Sequence, residues 1–319
     1  MKILQIPDCP WSIGRLCEII RAGNPDIEFR TLYVPPRDIL EHLDELAELI
    51  NWADIVNFEY WNVAWQICDF LPDELEKKKK ILTYHTIPNK RLDAWDEMDA
   101  IIVKTNSYWE KINALYPGKV WKVENVPDTE CFKWIDTYPP KTPAIGYVGR
   151  VVPWKGLKEV ARVCYELGYP LYVMGAFDKT DYWKSIPDEY KSIINFDFWG
   201  CEDNRRLDFY KTISLYVGNS EPDHEAGTLP FLEALACGVP VVTTANGMAA
   251  DIVEGEKDVL LFHYGAYEEM KNQIKRAMDS LALREKLRVS GRNAVAKYTP
   301  AWLAMRTRNV FDYVYNLKK

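Results

Sequence analysis

The feature that most constrains this chain is a strand–helix alternation that runs, breaks and then restarts. The short apolar, β-rich runs KILQI (2–6), IEFRTLYV (27–34), DIVNFEY (54–60), KILTYHT (80–86), AIIVKT (100–105) and VWKVEN (120–125) read as strands. Helical patterns fall between the early ones at 12–23 and 37–53, the second placing Ile39, Leu43, Leu46 and Ile50 on one stripe. Over 126–143, VPDTECFKWIDTYPPKTP, four prolines crowd together and the pattern stops, as a linker would. It resumes with strands at 144–150, 170–175, 194–200, 215–220, 239–244 and 258–263, and helices at 155–168, 203–212, 229–237 and 267–279. A last helix starts at Thr299–Pro300 and keeps Leu303, Val310, Val314 and Leu317 roughly in phase.

Strands that alternate with helices are parallel and joined by crossovers, so the fold class is α/β with helices on both sheet faces. A chain of 319 residues is too long for one ordinary core. Two Rossmann-like domains facing across a cleft are therefore expected. Residues 1–135 form the first, with a C-terminal helix (300–319) crossing back onto it, and residues 136–299 form the second. Ligands of such sheets bind outside the carboxyl ends of the strands.

Composition removes several classes of function. A net charge of −7 argues against nucleic acid as a partner, since phosphate-backbone binding leaves a basic footprint. Seven cysteines, scattered singly, fit a reducing compartment better than a disulfide framework or a zinc site. The start MKILQIPDCP is too short an apolar run for a signal peptide, and no later stretch would span a bilayer, so a cytoplasmic protein is expected. The run Lys77–Lys80 reads as the solvated end of a helix, with peripheral contact to an anionic membrane as the alternative. Trp52, Trp61, Trp65 and Trp95 could stack on a sugar or lie against a membrane; burial in the core is favoured for most of them.

Two stretches could carry chemistry. In EPDHEAGTLPFLEALACGVPVV (221–242), Glu225 and Glu233 lie eight positions apart. Thr228 is placed to cap a helix, Pro230 fits its first turn and Gly238 its C-cap. The N–H groups around Gly227, Thr228 and Leu229 then face outward at the positive end of a helix dipole, a ready site for a diphosphate. Carboxylates beside such a site suit hydroxyl donors rather than phosphate. An isolated E-x7-E is more often a capping carboxylate and a solvated loop acid. In GYVGRVVPWKG (146–156), Gly149 allows a tight turn, and Arg150 and Lys155 could neutralise a diphosphate by forked hydrogen bonds and a point charge. Alone, such a basic pair is usually surface.

Taken in order, these pieces carry a resemblance. G-R-x-x-P-x-K-G, the strand–turn VMGAFD, FWGCEDNRRLDFYKTISLYVGNS, and E-x7-E running into EALACGVPVVTT resemble the second domain of retaining family 4 glycosyltransferases (glycosyl transferases group 1) with the GT-B fold. The likeness runs from about 126 to 265 and is weaker over 1–125. It implies that Arg150, Lys155, Gly227, Thr228 and Leu229 bind the donor diphosphate and that Glu233 binds the ribose. Phe198, Trp199 and Gly200 would receive the base, largely through backbone groups, and Gly14 would lie on a first loop approaching donor and acceptor. His85 and Glu225 are the implied catalytic residues, His85 facing the donor sugar from the end of a strand. A lone His after a strand is otherwise commonly structural.

Departures from the family pattern are also legible. Glu225–Ala226–Gly227–Thr228 replaces the usual E-G-x-G, which leaves the sugar preference open. The first loop has one glycine where two are common, DIVEGEKDVLLF lacks the second glycine of a turn, and the length suggests a trimmed acceptor domain.

The expected reaction is metal-independent transfer of a sugar from a UDP- or GDP-linked donor to a carbohydrate, lipid or other hydroxyl acceptor, with no cofactor. No Asp-x-Asp occurs, so Arg150, Lys155 and helix N–H groups would stabilise the leaving diphosphate. Retention follows from the resemblance. Hydrolysis by Glu225 and Glu233 would need the two carboxyls to flank a scissile bond, which a loop and the following helix do not obviously provide. A nucleotide-sugar epimerase and a non-catalytic nucleotide-sugar-binding protein are the alternatives.

Overall fold

A computed structural model of the chain describes residues 1–10, 12–86, 95–175, 181–198, 205–224, 226 and 228–318. The chain divides into two compact units, Met1–Val126 with Tyr298–Lys319, and Pro127–Lys297.

The first unit holds strands β1 (Lys2–Ile6), β2 (Glu28–Thr31), β3 (Ile55–Phe58), β4 (Lys79–Tyr84), β5 (Ala100–Val103) and β6 (Val120–Lys122). They form one parallel sheet in the order β2-β1-β3-β4-β5-β6. All four residues of β3 and of β5 are buried, as expected where helices cover both faces of a parallel sheet. Strand order reverses between β1 and β3, which opens a crevice at their carboxyl ends.

Helix Pro300–Asn316 completes this unit. The Thr299 hydroxyl caps it by accepting from the Trp302 N–H, and Pro300 occupies the first turn. It lies against helix Ser12–Ala22 so closely that a Cβ on Gly23 would come within 2.3 Å of the Ala304 Cβ. Arg308 pairs with Asp26 at 2.9 Å, and Arg306 donates to the Lys122 carbonyl at 2.9 Å.

The lysine run is not a helix end. Lys79 and Lys80 begin β4, and Lys80 is buried with its ammonium 3.0 Å from Glu97. Lys78 donates to the carbonyls of Asn51 and Ala53, and Lys79 to that of Leu317. The long stems reach backbone acceptors where segments end, a use of lysine that charge patterning alone does not reveal. Of the four tryptophans, Trp95 is buried and Trp52, Trp61 and Trp65 are partly so.

The second unit holds β7 (Ile145–Val148), β8 (Leu171–Met174), β9 (Ile194–Asn195), β10 (Leu215–Gly218), β11 (Val241–Thr244) and β12 (Leu260–Phe262). Its parallel sheet runs β12-β11-β10-β7-β8-β9, so the first strand sits between the second and the fourth. The reversal falls between β7 and β10. A core of Ile145, Val160, Leu171, Val217, Leu260 and Ile274 fills one side of the sheet.

The proline-rich stretch packs within this unit. Arg288, buried on helix Leu281–Val295, donates to the carbonyls of Ile135 and Gly238 at 2.7 Å each. Its guanidinium also lies over the rings of Trp134 (4.4 Å) and Tyr138 (4.0 Å).

Helices Trp61–Phe70, Asn106–Asn113 and Leu281–Val295 go beyond the sequence reading, and of the strand expected at 194–200 the described residues pair only at Ile194–Asn195. No helix among the described residues is long and apolar enough to cross a membrane.

Candidate functional site

The second unit brings the two sequence stretches together. The loop after β7 carries Arg150 and Lys155, and the loop after β10 leads into helix Leu229–Cys237. Because β7 and β10 are neighbours at the reversal, both loops leave the same edge of the sheet side by side. Gly156, at φ +60°, ends the short turn Pro153–Lys155, and a Cβ there would lie 2.2 Å from the Asn219 Nδ2. Asn219 in turn donates to the Gly156 carbonyl at 3.3 Å. The Glu221 N–H donates to the Trp154 carbonyl at 2.8 Å, a second tie between the loops.

Trp154 organises the cationic side. The exposed Arg150 has its guanidinium 5.6 Å from the Trp154 ring centre, and His224 stacks on the same ring at 5.3 Å and 20°. Lys155 is partly buried, with its stem along Gly149. The loop after β10 is also fastened to the segment after β11. Asn246 and Thr244 both donate to the Ser220 carbonyl, at 2.6 and 3.1 Å, and the Met248 N–H donates to that of Ala226.

Helix Leu229–Cys237 begins as the sequence predicts, with Thr228 at the N-cap position, Pro230 in the first turn and Gly238 left-handed at φ +71° at the C-cap. The Thr228 side chain makes no capping hydrogen bond, and no acidic residue occupies the first turn. The first-turn N–H groups, including that of Leu229, have no intrahelical acceptors, so the positive end of the helix is suited to an anion.

Glu233, one turn further in, is 2% exposed. Its Oε1 accepts from Arg206 and its Oε2 from the Tyr210 hydroxyl at 2.9 Å. Burial and the neighbouring Glu233 charge push the Tyr210 phenol well above its usual pKa, which keeps the proton this bond needs. Glu233 is thus a held carboxylate rather than a solvated helix acid.

Phe198 is buried, its ring edge-on to Phe209 at 5.4 Å with the Arg205 guanidinium 4.7 Å from its centre. Its side chain belongs to the core. Trp199, Gly200, Glu225 and Gly227 lie outside the described residues.

In the first unit, Gly14 sits in the first turn of helix Ser12–Ala22 rather than on an open loop. Its N–H donates to the Cys9 carbonyl at 3.1 Å, and a Cβ there would meet that oxygen at 2.7 Å. His85 follows β4, and its Nε2 lies 3.1 Å from Oε2 of Glu59, which follows β3. Asn57 donates to Glu59 Oε1 at 2.6 Å. Burial pulls the His85 ring below its ordinary pKa, so it is neutral near pH 7. Burial alone would raise Glu59, but the bonds from His85 and Asn57 and the Lys104 charge outweigh it and hold the carboxyl below its usual range.

Sequence reasoning missed Trp154, Asn219, Arg206, Tyr210 and Glu59. The one available signal was Glu59 itself, a charge ending the buried run IVNFE.

The glycosyl transferases group 1 family profile matches residues 129–294, more than half of the chain. None of the curated proteins compared with the sequence matches it. Solved structures share the architecture along nearly the whole length. A glycosyltransferase from Rickettsia africae superposes with a TM-score of 0.75 at 16% identity, covering 99% of each chain. Sucrose-phosphate synthase from Thermosynechococcus elongatus gives 0.78 at 17% identity, again over 99% of each. Anabaena HepE in complex with UDP and glucose gives 0.81 at 13% identity, over 98% of this chain and 100% of that one.

Two parallel six-stranded sheets, the second with paired loops and a helix amino terminus at its reversal point, make this a GT-B enzyme of the glycosyltransferase class. The chain belongs to the glycosyl transferases group 1 family.

Proposed function

We propose that the enzyme moves a sugar from a UDP- or GDP-linked donor to the hydroxyl of a carbohydrate, lipid or other acceptor, with retention and without a metal. The observation that carries this is the fastening of the Arg150–Lys155 loop to the Asn219–Thr228 loop beside the open start of helix Leu229–Cys237. That combination offers two cations and a helix dipole to one diphosphate. Leaving-group charge is stabilised by fixed groups, which is the largest contribution such a site can make. The structure of HepE with UDP and glucose supports a nucleotide-sugar donor for this fold.

In this reading Glu233, held by Arg206 and Tyr210, accepts from the ribose, and Thr228 donates to phosphate. His85 accepts from a hydroxyl of the donor sugar, and Glu225 contacts the same sugar. The base is received by the backbone near Phe198, Trp199 and Gly200, since the Phe198 ring is already packed. Retention rests on the family 4 resemblance. With no carboxylate assigned as nucleophile, the departing phosphate takes the acceptor proton on the face it leaves. Metal independence rests on the cations and the missing Asp-x-Asp.

The test is a thermal-shift screen of nucleotide sugars, followed by NMR of the anomeric product with and without EDTA. Stabilisation by one UDP- or GDP-sugar, a product of unchanged anomeric configuration and full rate in EDTA are expected. An inverted product or an EDTA-sensitive rate would refute the corresponding part.

A further inference from the structure

The first unit contains a polar line that the transfer reaction as described does not use in full. Asn57 pairs in register with Ile81, and Ile81 with Ala100, so the two-residue alternation of strands puts Asn57, Glu59, His85 and Lys104 on one sheet face. Glu59 and Lys104 are 3% and 4% exposed, at the carboxyl ends of β3 and β5. Such a buried row of charged and amide groups is costly unless its members satisfy one another.

We propose that Glu59, itself fixed by Asn57, is the positioning residue of His85, holding the ring as its Nε2–H tautomer and leaving Nδ1 as an acceptor for a sugar hydroxyl. Glu59 accepts from Asn57 on one oxygen (2.6 Å) and faces His85 Nε2 with the other (3.1 Å). A carboxylate only accepts, so the ring nitrogen that faces it must carry the hydrogen. The second nitrogen is then left with its lone pair. A neutral ring in this state accepts from a hydroxyl and cannot donate to a phosphate, which assigns it to the sugar.

Burial, aided by one of the charged groups around the ring, sets the neutral state. Besides Glu59, they are Lys104 from the end of β5 and Asp8 from the segment after β1. Lys104 disfavours a second cation beside it, while Glu59 and Asp8 favour one; burial outweighs the two carboxylates. Cys17, on helix Ser12–Ala22, faces Glu59 and Lys104; burial pushes its thiol up, so it stays uncharged.

The proposal rests on the reading of His85 as a donor-sugar residue, and its test separates the two. Long-range 1H–15N spectra of the full-length protein report the His85 tautomer directly, with His85→Ala used to assign the signals. The wild type is expected to show the Nε2–H pattern. Glu59→Leu is expected to give mixed tautomers and a kcat at least roughly 10-fold lower with KM little changed, as when other histidines lose the carboxylate that orients them. Glu59→Gln keeps one acceptor oxygen for the ring and turns its NH2 to Asn57, whose amide flips to present its otherwise unpaired Oδ1, so it should preserve the tautomer and most of kcat. By removing a negative charge, it should also move the acidic limb of the rate profile to lower pH. Circular dichroism checks that each variant is folded, and Glu59→Gln serves if Glu59→Leu is not.

An Nδ1–H ring in the wild type, or an unchanged tautomer and kcat in folded Glu59→Leu, overturns the proposal. If Glu59→Leu does not fold, an unmoved acidic limb in Glu59→Gln overturns it. A wild-type rate in His85→Ala overturns instead the reading of His85, and the spectra still decide whether Glu59 sets its tautomer.

Discussion

Gly156 and Asn219, 63 residues apart, stand so close that a Cβ on the glycine would lie 2.2 Å from the Asn219 amide nitrogen. This contact locks the loop bearing Arg150 and Lys155 to the loop that precedes helix Leu229–Cys237. Gly156→Ala therefore meets both a left-handed backbone (φ +60°) and a side chain that is buried and bonded. A loss of about 1–3 kcal/mol in stability is expected. Nucleotide affinity should fall with it, because the two loops no longer present one site. Melting curves with and without nucleotide check this, and an unchanged melting temperature would contradict it.

Arg206 and Glu233 should behave as a buried pair. Arg206→Ala leaves a carboxylate without its cation and should destabilise the protein by about 3–5 kcal/mol. Arg206→Met combined with Glu233→Leu removes both charges and should recover much of that stability. If Glu233 also binds the ribose, the double variant should still bind nucleotide poorly. Chemical denaturation and calorimetry on the same samples separate the two effects.

Arg288 tests why the proline-rich stretch belongs to the second unit. It supplies the carbonyls of Ile135 and Gly238 with their donors and covers Trp134 and Tyr138. Arg288→Met should destabilise by about 2–4 kcal/mol through two buried carbonyls left without these partners. Earlier proteolysis within 127–143 than in the wild type is expected under identical conditions. Equal cleavage rates would argue against this anchoring role.

Acid should weaken the first unit through His85 and Glu59. His85 has a folded pKa below its ordinary 6.5, so the unfolded chain takes up that proton first and stability drops as pH falls below about 6.5. Glu59 is held below its ordinary 4.5; its contribution is complete above that value and is lost as pH falls through the folded pKa. His85→Asn should flatten the slope of stability against pH between 6.5 and 4.5. Denaturant midpoints across that range measure it, and an equally steep slope in the variant would contradict the assignment.

The strand–helix alternation made both sheets legible because period-2 apolar runs and 3.6-period stripes are local signals. Helix Leu229–Cys237 could be read to the residue, since Thr228, Pro230 and Gly238 each mark a boundary chemically. Helix Leu281–Val295 was missed because LREKLRVSGRN is mostly polar, with Arg284 buried by bonds to the carbonyls that end the preceding helix and Arg288 by long-range bonds to Gly238 and Ile135. The same limit hid the partners of the site. Arg150, Lys155 and Glu233 could be nominated from spacing, but Trp154, Asn219 and Arg206 gain meaning only when β7 meets β10 and when helix Arg206–Thr212 lies beside helix Leu229–Cys237. Lys79 and Lys80 misled in the opposite direction, since a run of charge looks solvated until its backbone acceptors and its carboxylate are in place.

The central claim is that the loops after β7 and β10 bind the diphosphate of a nucleotide sugar. Calorimetric titration of UDP and GDP into the wild type, Arg150→Ala and Lys155→Ala tests it most directly. One nucleotide should bind the wild type, and each variant should bind it roughly 10- to 100-fold more weakly, the loss of one charge-assisted contact. Equal affinity in all three proteins would contradict the account.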